Sequence, residues 1–312
     1  GNSRTLIEFI EMNGSLAAFV IRGSKIEFID RLGTVADVAE KLDDLHFQFG
    51  SLRYGGAANS RFADQFKIRT DKVLRQLYDQ LLRPIQEHFS GTELIIVPVG
   101  ALNYVPFHAL NDGEQYVLQR YEVGYVPSAA IWLKLIKKKT KASRNAFLMA
   151  FADEKIPLVE SEIREINRVF PKAASFAGSS ATVKAFFENA PKKDIIHLAC
   201  HGQFRPDNPM FSSLHLADGW LTVRDIVAKR LDASLVTLSA CETGRNKIFA
   251  GDEILGLARG FILAGTASII VSLWNVNDAA ASRLMLSLYS HLKAKETPGS
   301  SLRKAQLALI AE

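Results

Sequence analysis

His201 and Cys241 are the two side chains of this chain whose chemistry can split an amide together. An imidazole takes the proton of a thiol, the thiolate attacks a carbonyl carbon, and the imidazolium returns the proton to the leaving amine. Each residue stands just beyond a short apolar run. The first reads Asp-Ile-Ile-His-Leu-Ala-Cys-His-Gly over residues 194–202, and the second Ser-Leu-Val-Thr-Leu-Ser-Ala-Cys-Glu-Thr-Gly over residues 234–244. Glycine follows both. Gly202 lets a substrate backbone approach closely, and its N–H with that of Cys241 can face the oxygen that becomes an oxyanion.

Runs of this length and composition are predicted to be buried parallel strands. In an open parallel sheet the ligand crevice lies outside the carboxyl ends of the strands, where strand order reverses, so two such ends bring imidazole and thiol together. Cys241 follows His201 by forty residues. That is near the spacing of about 50 residues between histidine and cysteine in caspases.

The elements that must carry these ends follow from hydrophobic periodicity. Residues 5–10, 16–21 and 25–30 alternate around Asn13-Gly14 and Arg22-Gly23, which predicts an antiparallel meander. Helical spacing covers residues 35–45 and 71–89, with a mobile loop expected over residues 50–59. Further strands are expected at 94–98, 105–110 and 121–126. Lys137 to Ser143 has no apolar residue beyond Ala142 and is taken as a boundary between residues 1–142 and 143–312. The second part alternates strands at 146–151, 173–176, 194–199, 235–239 and 268–273 with helices at 159–170, 182–189, 254–263 and 279–293. Such alternation implies a mostly parallel sheet covered on both faces.

Other chemistries fit less well. His197, Cys200, His201 and Cys241 are zinc-ligand types, yet alternation along the first run puts His197 and Cys200 on opposite faces, so no metal is expected and Cys200 reads as a small buried apolar residue. A Cys-x5-Arg phosphate loop is excluded because Lys247 holds the arginine's place, and no G-x4-G-K-[ST] loop occurs. His46, His88, His108, His215 and His291 lie on expected helices, loops or strands away from the two strand ends and read as structural or solvent-facing.

The 312 residues, 48% of them hydrophobic, can bury a large core. A net charge of +5 is too small and too dispersed to imply nucleic-acid binding, and the one dense basic run, residues 137–141, reads as a solvated linker. Two cysteines make no disulfide framework, and a reducing, cytoplasmic setting is expected. The N-terminal residues contain no signal-peptide core. The longest uncharged apolar stretch, 260–274, is shorter than the roughly 20 residues of a membrane span.

Several segments together resemble the CHAT family, caspase-like peptidase domains that often follow tetratricopeptide repeats and are related to separases. They are Leu94-Ile95-Ile96-Val97-Pro98 with Val105-Pro106-Phe107, Tyr125-Val126-Pro127-Ser128, His197 to Gly202, Leu238 to Gly244 with its Ala-Cys-Glu-Thr-Gly context, and Gly256-Leu257-Ala258-Arg259 through Ser272-Leu273-Trp274. The resemblance implies a caspase-like three-layer α/β/α sandwich over 143–312, preceded by a mixed α/β, pseudo-protease-like half over 1–142. It implies a cysteine endopeptidase with His201 and Cys241 as the dyad, no cofactor, and a protein substrate. Asp278, with Trp274 and Ser272 on the same exit, and Asp153 are implied to line the pocket for the residue before the scissile bond, with a basic side chain the first expectation. The family's domains usually continue into a final aromatic-containing strand and follow repeats, so this chain reads as an excised catalytic region whose repeats or activator lie elsewhere. Loops at Gly55-Gly56 and 246–251 are expected to order on activation. The competing reading is a catalytically silent interaction scaffold.

Overall fold

A computed structural model describes residues 4–54, 63–138, 145–154, 156–203, 205, 208–239, 253–274 and 276–312. The chain divides into two compact units, one ending at Lys134 and the other beginning at Leu135.

In the first unit, β1 (Arg4–Met12), β2 (Ser15–Arg22) and β3 (Lys25–Ile29) form the antiparallel meander that their alternation predicts. Asn13 and Gly14 both take positive φ, as a tight turn between twisted strands requires. Two long helices follow, α1 (Val35–Tyr54) and α2 (Ala63–Leu81). They cover one face of the sheet with Val38, Leu42, Leu45, Leu74 and Leu77. β4 (Glu93–Val97) then joins parallel to β1, and β5 (Glu122–Tyr125) parallel to β4, giving the order β3-β2-β1-β4-β5. Two short helices, α3 (Val117–Arg120) and α4 (Ala129–Leu135), flank β5.

Three expectations fail here for physical reasons. Residues 50–54 continue α1 in place of the expected loop, while 55–62 lie outside the described residues. The helix expected to reach Phe89 stops at Leu81, because Pro84 cannot donate the next α-helical hydrogen bond, and Arg83–His88 is a 3-10 turn. Val105 to Leu110 is not a strand but lies among 3-10 turns. The Tyr125 hydroxyl there substitutes for a ladder, donating to the Val105 carbonyl at 2.9 Å and accepting from the Phe107 N–H at 2.8 Å.

The second unit contains β6 (Ala146–Ala150), α5 (Val159–Val169), β7 (Ala174–Ala177), α6 (Val183–Asn189), β8 (Ile195–Ala199), β9 (Gly202–Gln203), β10 (Ser213–Leu216), β11 (Gly219–Thr222), α7 (Val223–Val227), β12 (Leu235–Leu238), α8 (Glu253–Leu263), β13 (Ile269–Val271), α9 (Asp278–Lys293) and α10 (Pro298–Ile310). Five strands form a wholly parallel sheet in the order β13-β12-β8-β6-β7. On one face Leu148, Ile195 and Leu235 pack against Ile163 and Ile166 of α5, Leu288 and Tyr289 of α9 and Ala305 of α10. On the other, Phe147, Ile196 and Val236 pack against Phe186 of α6, Ile226 of α7 and Leu257 and Phe261 of α8. This is the three-layer α/β/α sandwich of the caspase-like type. A small antiparallel sheet, β11-β10-β9, accompanies it and was not expected.

Candidate functional site

Strand order decides where a site can form. The chain leaves β6 outward to β7, then returns to the other side of β6 to make β8, β12 and β13 in succession. The reversal lies between β6 and β8, and the crevice of such a sheet opens at their carboxyl ends. The ladders on both sides of β8 end level: Ala150 opposes Ala199, Leu238 opposes Leu198, and the N–H groups of Phe151 and Ser239 donate to the carbonyls of Ala199 and Leu198. Residues following β6, β8 and β12 therefore leave from one edge.

His201 is the second residue past β8, which is buried along its whole length. It is itself 6% exposed. Its Nε2 lies 2.7 Å from Oδ2 of Asp153, which follows β6 across the reversal point. The contact lies off the line of a ring N–H, and neither buried ring nitrogen has a hydrogen-bond partner among the described residues. Asp153, expected as a pocket residue, thus stands against the histidine.

Gly202 starts the edge strand of the small sheet, opposite Leu214. The His215 N–H donates to the His201 carbonyl at 2.8 Å. In an antiparallel pair hydrogen-bonded positions alternate, so Gly202 opposes Leu214 in a non-bonded position and its N–H turns away from β10. The same sheet stacks His215 on Trp220, ring centroids 4.5 Å apart, and sets the Phe151 edge against His215 at 5.3 Å. This aromatic row beside His201 was missed in the sequence. Its signal was the alternation of Leu214, Leu216 and Leu221 around Asp218-Gly219, a hairpin-turn dipeptide.

Cys241 comes two residues after Ser239 and lies outside the described residues. Ser272 and Trp274, both partly buried, follow β13, which pairs with β12. Asp278 is the first residue of α9; the cap is Asn277, whose side chain accepts from the N–H groups of Ala279 and Ala280. Gly55-Gly56 and 246–251 also lie outside the described residues, as do 139–144 of the basic linker.

Beneath the crevice a buried polar network joins the two strands that lead to it. The His197 Nδ1 meets the Tyr289 hydroxyl at 3.0 Å, that hydroxyl donates to Thr237 Oγ1 at 2.9 Å, and His197 Nε2 lies 2.9 Å from Glu162 Oε1. Burial pushes the Tyr289 hydroxyl well above its ordinary titration range. His197 thus faces α5 and α9, while Cys200 packs with the opposite core, where burial pushes its thiol up to about 12. Among the described residues no group of three or more histidine, cysteine or carboxylate side chains could hold a metal. Nor is any described helix long and apolar enough to cross a membrane.

The model of the CHAT domain matches residues 71–312. The chain belongs to the CHAT domain family. The match takes in the whole second unit and, in the first, everything from the middle of α2 onward, so the CHAT domain is not confined to the three-layer sandwich. Among curated proteins the chain is similar to human tetratricopeptide repeat protein 28, at 25% identity over 304 residues. The mouse protein of the same name is likewise 25% identical. In each case 75% of this chain is covered, and the chain spans only 12% of the relative's length.

Proposed function

We propose that this CHAT domain is a cysteine endopeptidase that cleaves a partner protein, with Cys241 as nucleophile and His201 as general base and then acid. The observation that carries the proposal is the burial of His201 at the carboxyl end of β8, beside the strand-order reversal and next to the strand that leads to Cys241. A proton passed from thiol to imidazole leaves a thiolate to attack the scissile carbonyl. The N–H groups of Gly202 and Cys241 take up the charge on its oxygen, the imidazolium protonates the leaving amine, and water releases the acyl group. Thiol, imidazole and water supply every proton and bond of this sequence.

Trp274, Ser272 and Asp278, on the exit from β13, are assigned to the pocket for the residue before the scissile bond. Residues 1–142 serve as a pseudo-protease-like half and 143–312 as the catalytic half, in a cytoplasmic protein. The name of the curated relatives supports partners engaged through tetratricopeptide repeats, which supply a regulator or substrate. The test is cleavage of a peptide library with a Cys241→Ala control. Turnover that disappears in the variant is expected. Turnover that survives in it would remove the nucleophile assignment, and a folded chain that cuts nothing would favour the silent scaffold.

A further inference from the structure

We infer that Asp153 is a positioning residue for His201, making the proposed dyad a three-residue arrangement. The inference rests on the peptidase reading above and deepens it. Its ground is the 2.7 Å approach of Asp153 Oδ2 to His201 Nε2. The two residues leave adjacent parallel strands, β6 and β8, on either side of the reversal point, so the sheet itself fixes their separation.

The contact does two things. Neither buried ring nitrogen has a hydrogen-bond partner among the described residues, and only Nε2 has the carboxylate beside it, so Nδ1 is left as the ring nitrogen for the thiol. When the thiol gives up its proton, the ring becomes an imidazolium, and a carboxylate already in contact stabilises that charge without moving. Burial of the ring heightens the effect, because His201 is 6% exposed and water screens the pair only from the carboxylate side, which is 44% exposed. Asp153 itself touches no substrate in this scheme. It acts through the histidine.

This differs from a pocket role in what it does to a reagent that has no side chain to recognise. The experiment measures alkylation of Cys241 by iodoacetamide at pH 7, read by peptide mapping, in the full chain and in Asp153→Asn and Asp153→Glu. It is paired with turnover of two peptides that differ only in arginine or leucine before the scissile bond. Because the Asp153 side chain is 44% exposed, both variants are expected to melt within a few degrees of the unaltered chain. Positioning predicts that Asp153→Asn slows alkylation about 10-fold or more and lowers kcat by one factor for both peptides with KM unchanged, and that Asp153→Glu recovers part of the loss. Unchanged alkylation with a KM rise confined to the arginine peptide would overturn it and return Asp153 to the pocket. Equal rates in all three proteins would overturn it as well. A Cys241 that reacts in the unaltered chain no faster than in urea would instead sink the peptidase reading beneath it.

Discussion

Replacing Tyr289 by phenylalanine removes a single oxygen from the buried polar network of His197, Thr237 and Glu162 in the second unit. The ring stays and keeps its edge contact with Phe170, so no cavity larger than the hydroxyl forms. What is lost is the partner of two groups at once, Thr237 Oγ1 and His197 Nδ1, both on residues with no exposed surface. Each buried polar group left unpaired costs about 1–3 kcal/mol, so the two together cost about 2–6 kcal/mol, and relief from burying the hydroxyl itself brings the net loss to about 2–4 kcal/mol. For a unit of this size m in urea is about 2–3 kcal/mol per M, which places the midpoint about 1 M lower with the slope unchanged. Tryptophan fluorescence reads the transition, since Trp220 and Trp274 lie in this unit. Thr237→Val added to Tyr289→Phe removes the orphaned acceptor, so the double variant costs less than the sum of the two singles. A midpoint shift below about 0.2 M, or strict additivity, would mean that the hydroxyl does not hold these two groups. The consequence reaches the crevice, because Thr237 and His197 oppose each other in the ladder and each precedes a candidate catalytic residue by four positions.

Cys200, its thiol pushed up to about 12 by burial, is expected to resist iodoacetamide at pH 8 in the native chain and to react only after denaturation. Peptide mapping before and after urea checks this, and native labelling at the denatured rate would contradict it. His108 is held neutral by burial, its value lowered to about 4. Between the ordinary value near 6.5 and about 4 the unfolded chain binds a proton that the folded one does not, so stability is full above pH 6.5 and falls as pH drops toward 4. The loss is at most about 3 kcal/mol, and less because the residue keeps part of its surface open to water. His108→Gln should flatten this arm of the stability profile measured by denaturant titration, and an unchanged slope would count against it.

Much of the second unit was legible because its strands are continuous apolar runs bounded by charged or small residues. Residues 195–199 are short, apolar and rich in isoleucine, as a strand buried on both faces requires, and their ending at Cys200-His201-Gly202 places the imidazole at the sheet edge. Periodicity carries no information about pairing, so the order β13-β12-β8-β6-β7, and with it the meeting of Asp153 and His201, emerged only from the fold. The hairpin of β10 and β11 was hidden by its brevity, four residues a side. Val105 to Leu110 misled because a side chain, Tyr125, satisfies backbone groups that an apolar run normally gives to a neighbouring strand. His197 has the side chain of a metal ligand, yet its partners Glu162 and Tyr289, and Thr237 beyond the Tyr289 hydroxyl, are scattered over three other elements and share no sequence motif.

The proposed role of His201 is to arm Cys241 for attack on a carbonyl. Its most direct measurement is the intact mass of the chain after incubation with peptidyl acyloxymethyl ketones, electrophiles that trap a thiolate only after binding as substrate. One adduct per chain is expected, mapped to Cys241 and formed at least about 100-fold more slowly in His201→Ala. An adduct on Cys241 that forms equally fast without the imidazole, or no adduct on a folded chain that binds the peptide, would contradict it.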